Sequence, residues 1–189
     1  MQKEHKNNIE KARVGDKDAF GCLVRKHQQY AFNLAFRILC NEDDARDVVQ
    51  DSFVKIWKNM KLYNPNIKFT TWLYKIVTNT AIDHKRLASR MNLVKIDSLH
   101  EKLEQLVTDN PEIQLDNKET AQLIGLISNT LSEKQRLVFV LRDLQGLSSS
   151  EVATVLELSA TSIKSNLYHA RKIIKDKLQS IFSYERRTS

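Results

Sequence analysis

Residues Ser148–Ile174 read SSSEVATVLELSATSIKSNLYHARKII, and they organise the second half of the chain. Ser148 with Glu151 is a capping-box pattern, the signature of a helix N-terminus. A short turn at Leu158–Ser159 then leads into a second helix rich in small polar and basic residues. Two helices joined by a turn of a few residues form the helix-turn-helix pattern. At about 100° per residue, Ile163, Leu167, Ala170 and Ile174 of the second helix fall together and predict its packing face. The opposite face carries Thr161, Ser162, Ser165, Tyr168, His169 and Lys172, with Lys164 and Arg171 on the flanks. Hydroxyls and imidazole can reach base edges in a major groove, while Lys and Arg neutralise phosphates. A basic amphipathic helix alone is more often merely solvated. The capped partner helix and the short turn favour DNA binding.

Upstream of this motif the punctuation is equally sharp. A helix is expected over Glu119–Asn129. Ser132 with Gln135 forms another capping box, opening EKQRLVFVLRD, and Gln145-Gly146 ends that helix. The final SYERRTS is expected to fray. Between Met91 and Asn117 periodicity is weak and acids accumulate (Asp97, Glu101, Glu104, Asp109, Glu112, Asp116), so residues 91–117 read as a linker, with room for a short helix. Its acidity argues against a seat on DNA phosphates.

The first half reads as a helical block. From Asp16, DKDAFGCLVRKHQQYAFNLAFRILC sets Phe20, Leu23, Val24, His27, Ala31, Leu34, Ala35 and Ile38 at helical spacing. NEDDARDVVQDSFVKIWKNM opens with acids that complement a helix dipole, and its apolar stripe is Val48, Val49, Phe53, Ile56 and Trp57. Asn64-Pro65-Asn66 marks the loop KLYNPNIK. A third helix follows, carrying KFTTWLYKIVTNTAIDHKR at Lys68–Arg86 and fading near Arg90. Rotation puts Trp72, Leu73, Ile76, Val77 and Thr80 on its core side. Lys75, Thr78, Asn79, Ile82 and Arg86 take the other side, with Tyr74 and Lys85 at the edge. A purely solvated face has little use for Ile82 or for a mid-helix Asn, a poor helix former.

Composition sets the limits. Four Gly and two Pro in 189 residues are too few for a sheet protein, and the expected fold class is all-α. No apolar run approaches the roughly 20 residues of a membrane span, and the N-terminus lacks a secretory signal's apolar core. The expectation is a cytoplasmic protein without membrane insertion. Cys22 and Cys40 read as two buried, reduced thiols. No Cys/His spacing suggests a metal, and no cofactor is expected. A net charge of +7 suits a polyanionic partner without identifying one.

Three stretches, EDDARDVVQDSFVKIW, FTTWLYKIVTNTAIDHKR and LSEKQRLVFVLRDLQGLSSSEVATVLELSATSIKSNLYHARKII, resemble in that order the signatures of an extracytoplasmic-function sigma factor. These are the small two-domain members of the sigma-70 family of bacterial transcription initiation factors. The resemblance runs from about Asp16 to Leu178, and the form SIKSNLYHARK is most similar to members from Bacteroidetes. It implies region 2 over 1–90, a linker over 91–117 and region 4 over 118–189. Region 2 of that family docks on RNA polymerase and opens the promoter, while region 4 reads the minus-thirty-five element.

Carried over by residue, the tract Asp47–Met60 is similar to the motif that meets the clamp of the polymerase beta-prime subunit. Asp47, Gln50, Asp51 and Lys55 would make polar contacts there, with Phe53 and Trp57 facing the core. The third helix is similar to the part of region 2 that captures the minus-ten element, with Tyr63–Thr70, Tyr74 and Asn79 lining a base pocket and Lys75, Lys85 and Arg86 on phosphates. Asp83 and His84 would cap or orient neighbours. The helix-turn-helix spans 149–168, and region 4 implies the beta flap as a further contact. The linker would thread toward the active-site and RNA-exit channels. An anti-sigma factor is the remaining implied partner. Asn166 and His169 stand where many relatives carry Arg, so base preferences do not transfer.

Two rivals remain at this point. A stand-alone helix-turn-helix regulator, its first block a dimerisation or sensing domain, would bind duplex tightly by itself. A sigma factor would bind weakly until polymerase is added. An enzyme acting on nucleic acid lacks any metal-ligand spacing, Gly-rich phosphate loop or nucleophile–base pair in this sequence.

Overall fold

The computed structural model describes residues 2–91, 127–128 and 130–188, with side chains described for 4–88, 127–128 and 130–180. Among the described residues there are seven α-helices and no strand. The chain divides into two compact units, one formed by the helices up to Leu87 and the other centred on those after 127. The expected linker over 91–117 and most of the expected helix over Glu119–Asn129 lie outside the described residues. Ile127 and Ser128 are helical and buried.

The first unit opens with α1 (Gln2–Arg13), which the apolar spacing did not predict. Only Ile9 and Ala12 of α1 are buried apolar residues, too few to set a visible period. Asp16 caps α2 (Lys17–Leu39), its carboxylate accepting from the Ala19 amide at 2.9 Å. Asn41 caps α3 (Glu42–Asn59), accepting from the amides of Asp43 and Asp44. Glu42, Asp43 and Asp44 then stand at the positive end of the helix dipole.

After a single 3-10 turn at Met60–Leu62, the Asn64 side chain accepts from the Asn66 amide at 2.9 Å. The Tyr63 hydroxyl donates to the Ile67 carbonyl at 2.7 Å, which closes the loop before α4 (Phe69–Met91). The core of this unit gathers Leu23, Leu34, Ile38, Val48, Ile56, Met60, Leu73 and Val77, all essentially inaccessible. Each such side chain contributes about 1.5–3 kcal/mol by leaving water.

In the second unit, both halves of the Ser132–Gln135 capping box form at the start of α5 (Glu133–Phe139). A π turn at Val140–Leu144 extends it, closed by the Gln145 amide on the Val140 carbonyl at 2.9 Å. Gly146 ends the run at φ +72, in the left-handed region that costs glycine little. The Ser148–Glu151 box opens α6 (Ser149–Leu156), with the Ser148 amide donating to Glu151 at 2.9 Å. α7 (Ala160–Thr188) starts where the Ser159 hydroxyl accepts from the Ser162 amide. It stays helical to Thr188, past the point where fraying was expected. Leu137, Val138, Leu141, Val152, Ile163, Leu167, Ala170 and Ile174 form this core, the α7 members being those that the rotation predicts.

Candidate nucleic-acid interface

α7 presents the pattern expected of a reader of DNA. With Ile163, Leu167, Ala170 and Ile174 turned inward, Thr161, Lys164, Ser165, Tyr168, His169 and Lys172 are exposed. Tyr168 is 65% exposed, and its ring meets His169 edge-on at 5.4 Å. Ser162 is half-buried, and Asn166 donates to both its carbonyl (2.8 Å) and its hydroxyl oxygen (3.2 Å). The Ser162 hydroxyl therefore keeps its own proton to offer outward. Arg171, one of the residues expected to contact DNA, holds Asp143 through two bonds at 2.8 and 2.7 Å. Asp143 was not singled out from the sequence, because a one-residue widening of a turn leaves no periodic trace.

α3 carries an exposed polar row. Asp47, Gln50, Asp51 and Lys55 all face solvent, and the Lys55 ammonium also donates to the buried Thr80 hydroxyl at 3.0 Å, joining α3 to α4. Beside this row runs an apolar groove of about 680 Å³ between α2 and α3. Phe20, Val24, Phe32, Val49, Val54 and Trp57 line it, with Gln28, Gln50 and Arg46 at its edges. Val49 and Trp57, read as stripe or core from spacing, are only half-buried because they form this floor. Phe53 is buried as expected, and Phe20 meets it edge-on and Trp57 at a tilt, with ring centroids at 6.5 and 4.9 Å.

α4 has a clear open side. Trp72, Lys75, Ile76, Asn79, Ile82, Asp83 and Arg86 recur at helical spacing and are exposed or half-buried, and Lys85 is half-buried beside them. The rotation was right for Leu73, Val77 and Thr80 as core and for Asn79 and Arg86 as surface. It was wrong for four residues. Trp72 and Ile76 reach solvent, whereas Thr78 is fully buried and Tyr74 is only 8% exposed. Tyr74 lies near the half-buried Arg37 of α2, whose guanidinium burial lowers below its usual range. Its ring is therefore packed and does not line an open pocket. Tyr63 is buried too, packed on Phe69 and Trp72 at 5.7 and 5.1 Å, which leaves Asn64, Pro65, Asn66 and Lys68 as the open part of the loop. His84 stands 3.7 Å from Asp44 of α3.

Cys22 is exposed, with its sulfur accepting from Arg25 at 3.1 Å, and Cys40 is half-buried at a left-handed helix terminus. The expectation of two buried thiols is corrected: Cys22 falls on the outer side of α2. Among the described residues, no group of three or more His, Cys, Asp or Glu is placed to hold a metal. No described helix is long and apolar enough to cross a membrane.

Residues 23–91 match the family described as Sigma-70 region 2, and residues 121–174 match Sigma-70, region 4. The chain is 29% identical over 180 residues to the ECF RNA polymerase sigma-E factor of Haemophilus influenzae, covering 92% of this chain and 94% of that one. It is 27% identical over 179 residues to the protein of the same name from Escherichia coli K12, covering 92% and 93%. Among solved structures it is similar to CnrH in complex with the cytosolic domain of CnrY, at TM-score 0.69 and 25% identity over 94% of this chain and 98% of that one. It shares its fold with the sigma factor RpoE bound to the anti-sigma factor NepR from Bartonella quintana, at TM-score 0.68 and 23% identity over 85% and 96%. The chain belongs to the sigma-70 family, in its extracytoplasmic-function branch, and is an RNA polymerase sigma factor.

Proposed function

We propose that the chain divides its work among three surfaces, with region 2 over 1–90, a linker over 91–117 and region 4 over 118–189. The first surface is the row Asp47, Gln50, Asp51 and Lys55 with the neighbouring groove, which docks on the clamp of core polymerase. An apolar groove rimmed by polar side chains is the arrangement that buries hydrophobic area on association while the rim sets register. The second is the open side of α4 with the loop 64–68, which holds one strand of the minus-ten element. Lys75, Lys85 and Arg86 serve its phosphates, and Asn79 serves an unpaired base. Buried Tyr74 supports this surface from beneath. The third is α7, on which Thr161, Ser162, Lys164, Ser165, Tyr168, His169 and Lys172 face the minus-thirty-five duplex.

The observation that carries this reading is the pairing, in one chain, of a helix-turn-helix with an exposed Asn-and-cation stripe on a separate helical unit. A duplex reader by itself needs only the first. Strand opening needs a site that binds unpaired bases better than the duplex, and the second supplies that difference. The solved relative bound to an anti-sigma factor supports such a protein as a further partner of this chain.

In vitro transcription with core polymerase over a genomic template library tests the reading and recovers the promoter motif together. Specific transcripts that depend on this chain are expected. Tight, polymerase-independent duplex binding without transcription would instead favour a stand-alone regulator.

A further inference from the structure

We infer that Asp143 is a positioning residue for promoter reading, which acts by holding Arg171 and so fixing the rotation of α7. The inference rests on the reading of α7 as the minus-thirty-five surface. The Arg171 Nε donates to one Asp143 carboxylate oxygen at 2.8 Å and its Nη2 donates to the other at 2.7 Å. Such a two-point pair fixes orientation as well as distance. The Asp143 side chain is 22% exposed and the Arg171 side chain 58%, so the pair sits at the rim of the packed seam between α5 and α7.

Asp143 stands inside the π turn that ends the α5 run. A turn closed from Gln145 to Val140 holds one residue more than an α turn, and rotates the residues beyond it by about 100° relative to a continuous helix. The register is then held from both ends. The Leu147 amide returns to the Leu141 carbonyl at 3.0 Å, and the Arg142 guanidinium donates to the Leu147 carbonyl. Arg171 lies one helical turn beyond Tyr168 and next to the buried Ala170. Rotation of α7 about its axis would swing Ser165, Tyr168 and His169 together, and the pair resists that rotation at the edge of the core.

Electrostatics gives the inference an unusual sign. Asp143 is a negative charge on a unit that approaches a polyanion, so its removal should tighten binding if charge alone mattered. A positioning role predicts the reverse. With the full chain, core polymerase and the promoters recovered from the genomic library, Asp143→Ala should weaken upstream-element binding about three- to ten-fold, in the range of a well-formed charged pair. The salt slope should not change, and base preference at the upstream element should relax. Arg171→Ala should give the same loss, the double variant no further loss, and the exchange Asp143→Arg with Arg171→Asp should recover binding.

Binding that is unchanged or tighter in Asp143→Ala overturns the inference. So does a salt slope lowered by about one in Arg171→Ala alone, which would mark Arg171 as a direct phosphate contact. A loss that the exchange does not recover also overturns it. If Asp143→Ala unfolds, Asp143→Asn is measured instead, since it keeps the shape and only weakens the pair. Failure of the wild-type chain to direct transcription would defeat the sigma reading itself, a result distinct from any of these.

Discussion

His27 should make the first unit acid-labile, and the structure sets the size of the effect. The imidazole is 4% exposed, and neither ring nitrogen has a hydrogen-bond partner. The rings of His5 and Phe69 lie 5.0 and 5.3 Å away. Burial, with smaller contributions from His5 and Lys26, pushes its pKa down from 6.5 to about 4. Burial and Lys26 lower His5 as well. A base whose folded pKa is depressed binds fewer protons folded than unfolded between those two values. Unfolding free energy therefore rises with pH across that window, being complete above about pH 6.5 and lost as pH falls toward 4.

For one site moving between 6.5 and about 4, linkage gives a loss of about 2 kcal/mol between pH 7 and pH 5. Over the whole window the loss approaches about 3 kcal/mol, at 1.36 kcal/mol per unit. Both tryptophans, Trp57 and Trp72, belong to the first unit, so urea unfolding followed by tryptophan fluorescence reports this unit without the second. His27→Leu should remove about 2 kcal/mol of the difference between pH 7 and pH 5. At pH 7 it should be neutral or stabilising, because two unpaired buried nitrogens are replaced by an apolar side chain of similar volume. An unchanged pH dependence in His27→Leu would refute the reasoning.

Asn79→Ala should leave stability level or a few tenths of a kcal/mol higher, since Ala is the better helix former. The same variant should lower open-complex formation on duplex promoters about three- to ten-fold, the worth of one hydrogen bond of about 1 kcal/mol, with polymerase affinity unchanged. An equal loss of polymerase affinity would indicate a structural role. Lys172→Ala should weaken upstream-element binding and lower its salt slope by about one; an unchanged slope would remove Lys172 from the interface. Gly146→Ala should cost about 1–2 kcal/mol through backbone strain alone, because φ is +72 and an added Cβ would meet nothing within 4 Å. Thermal unfolding by circular dichroism measures it.

Much of the fold was legible because its cues are local. The two capping boxes, the break at Gly146 and the packing face of α7 all depend on side chains within about one turn of each other. Spacing could not give the degree of burial on helices packed from more than one direction. α4 meets neighbours over a wide arc, so Tyr74 and Thr78, half a turn off the predicted centre, are buried as well. Conversely, Val49 and Trp57 look like core by period and size. They border a groove only because no element of the described chain covers α2 and α3 there.

The same distinction separates the candidate residues legible in the sequence from the one that was hidden. Asn79 and Tyr168 were legible for local reasons: one is a poor helix former in mid-helix, and the other falls on the face of α7 opposite its packing side. Asp143 costs nothing visible. It is an acid near a helix end, and its bond to Arg171 spans 28 positions. Its partner, Arg171, looked from the sequence like one more cation for phosphate. Charge pattern alone would count the two as opposing influences on DNA binding. If the pair works as a single clamp, the acid and the base must change affinity in the same direction when each is removed, and that common sign separates a positioned helix from a merely charged one.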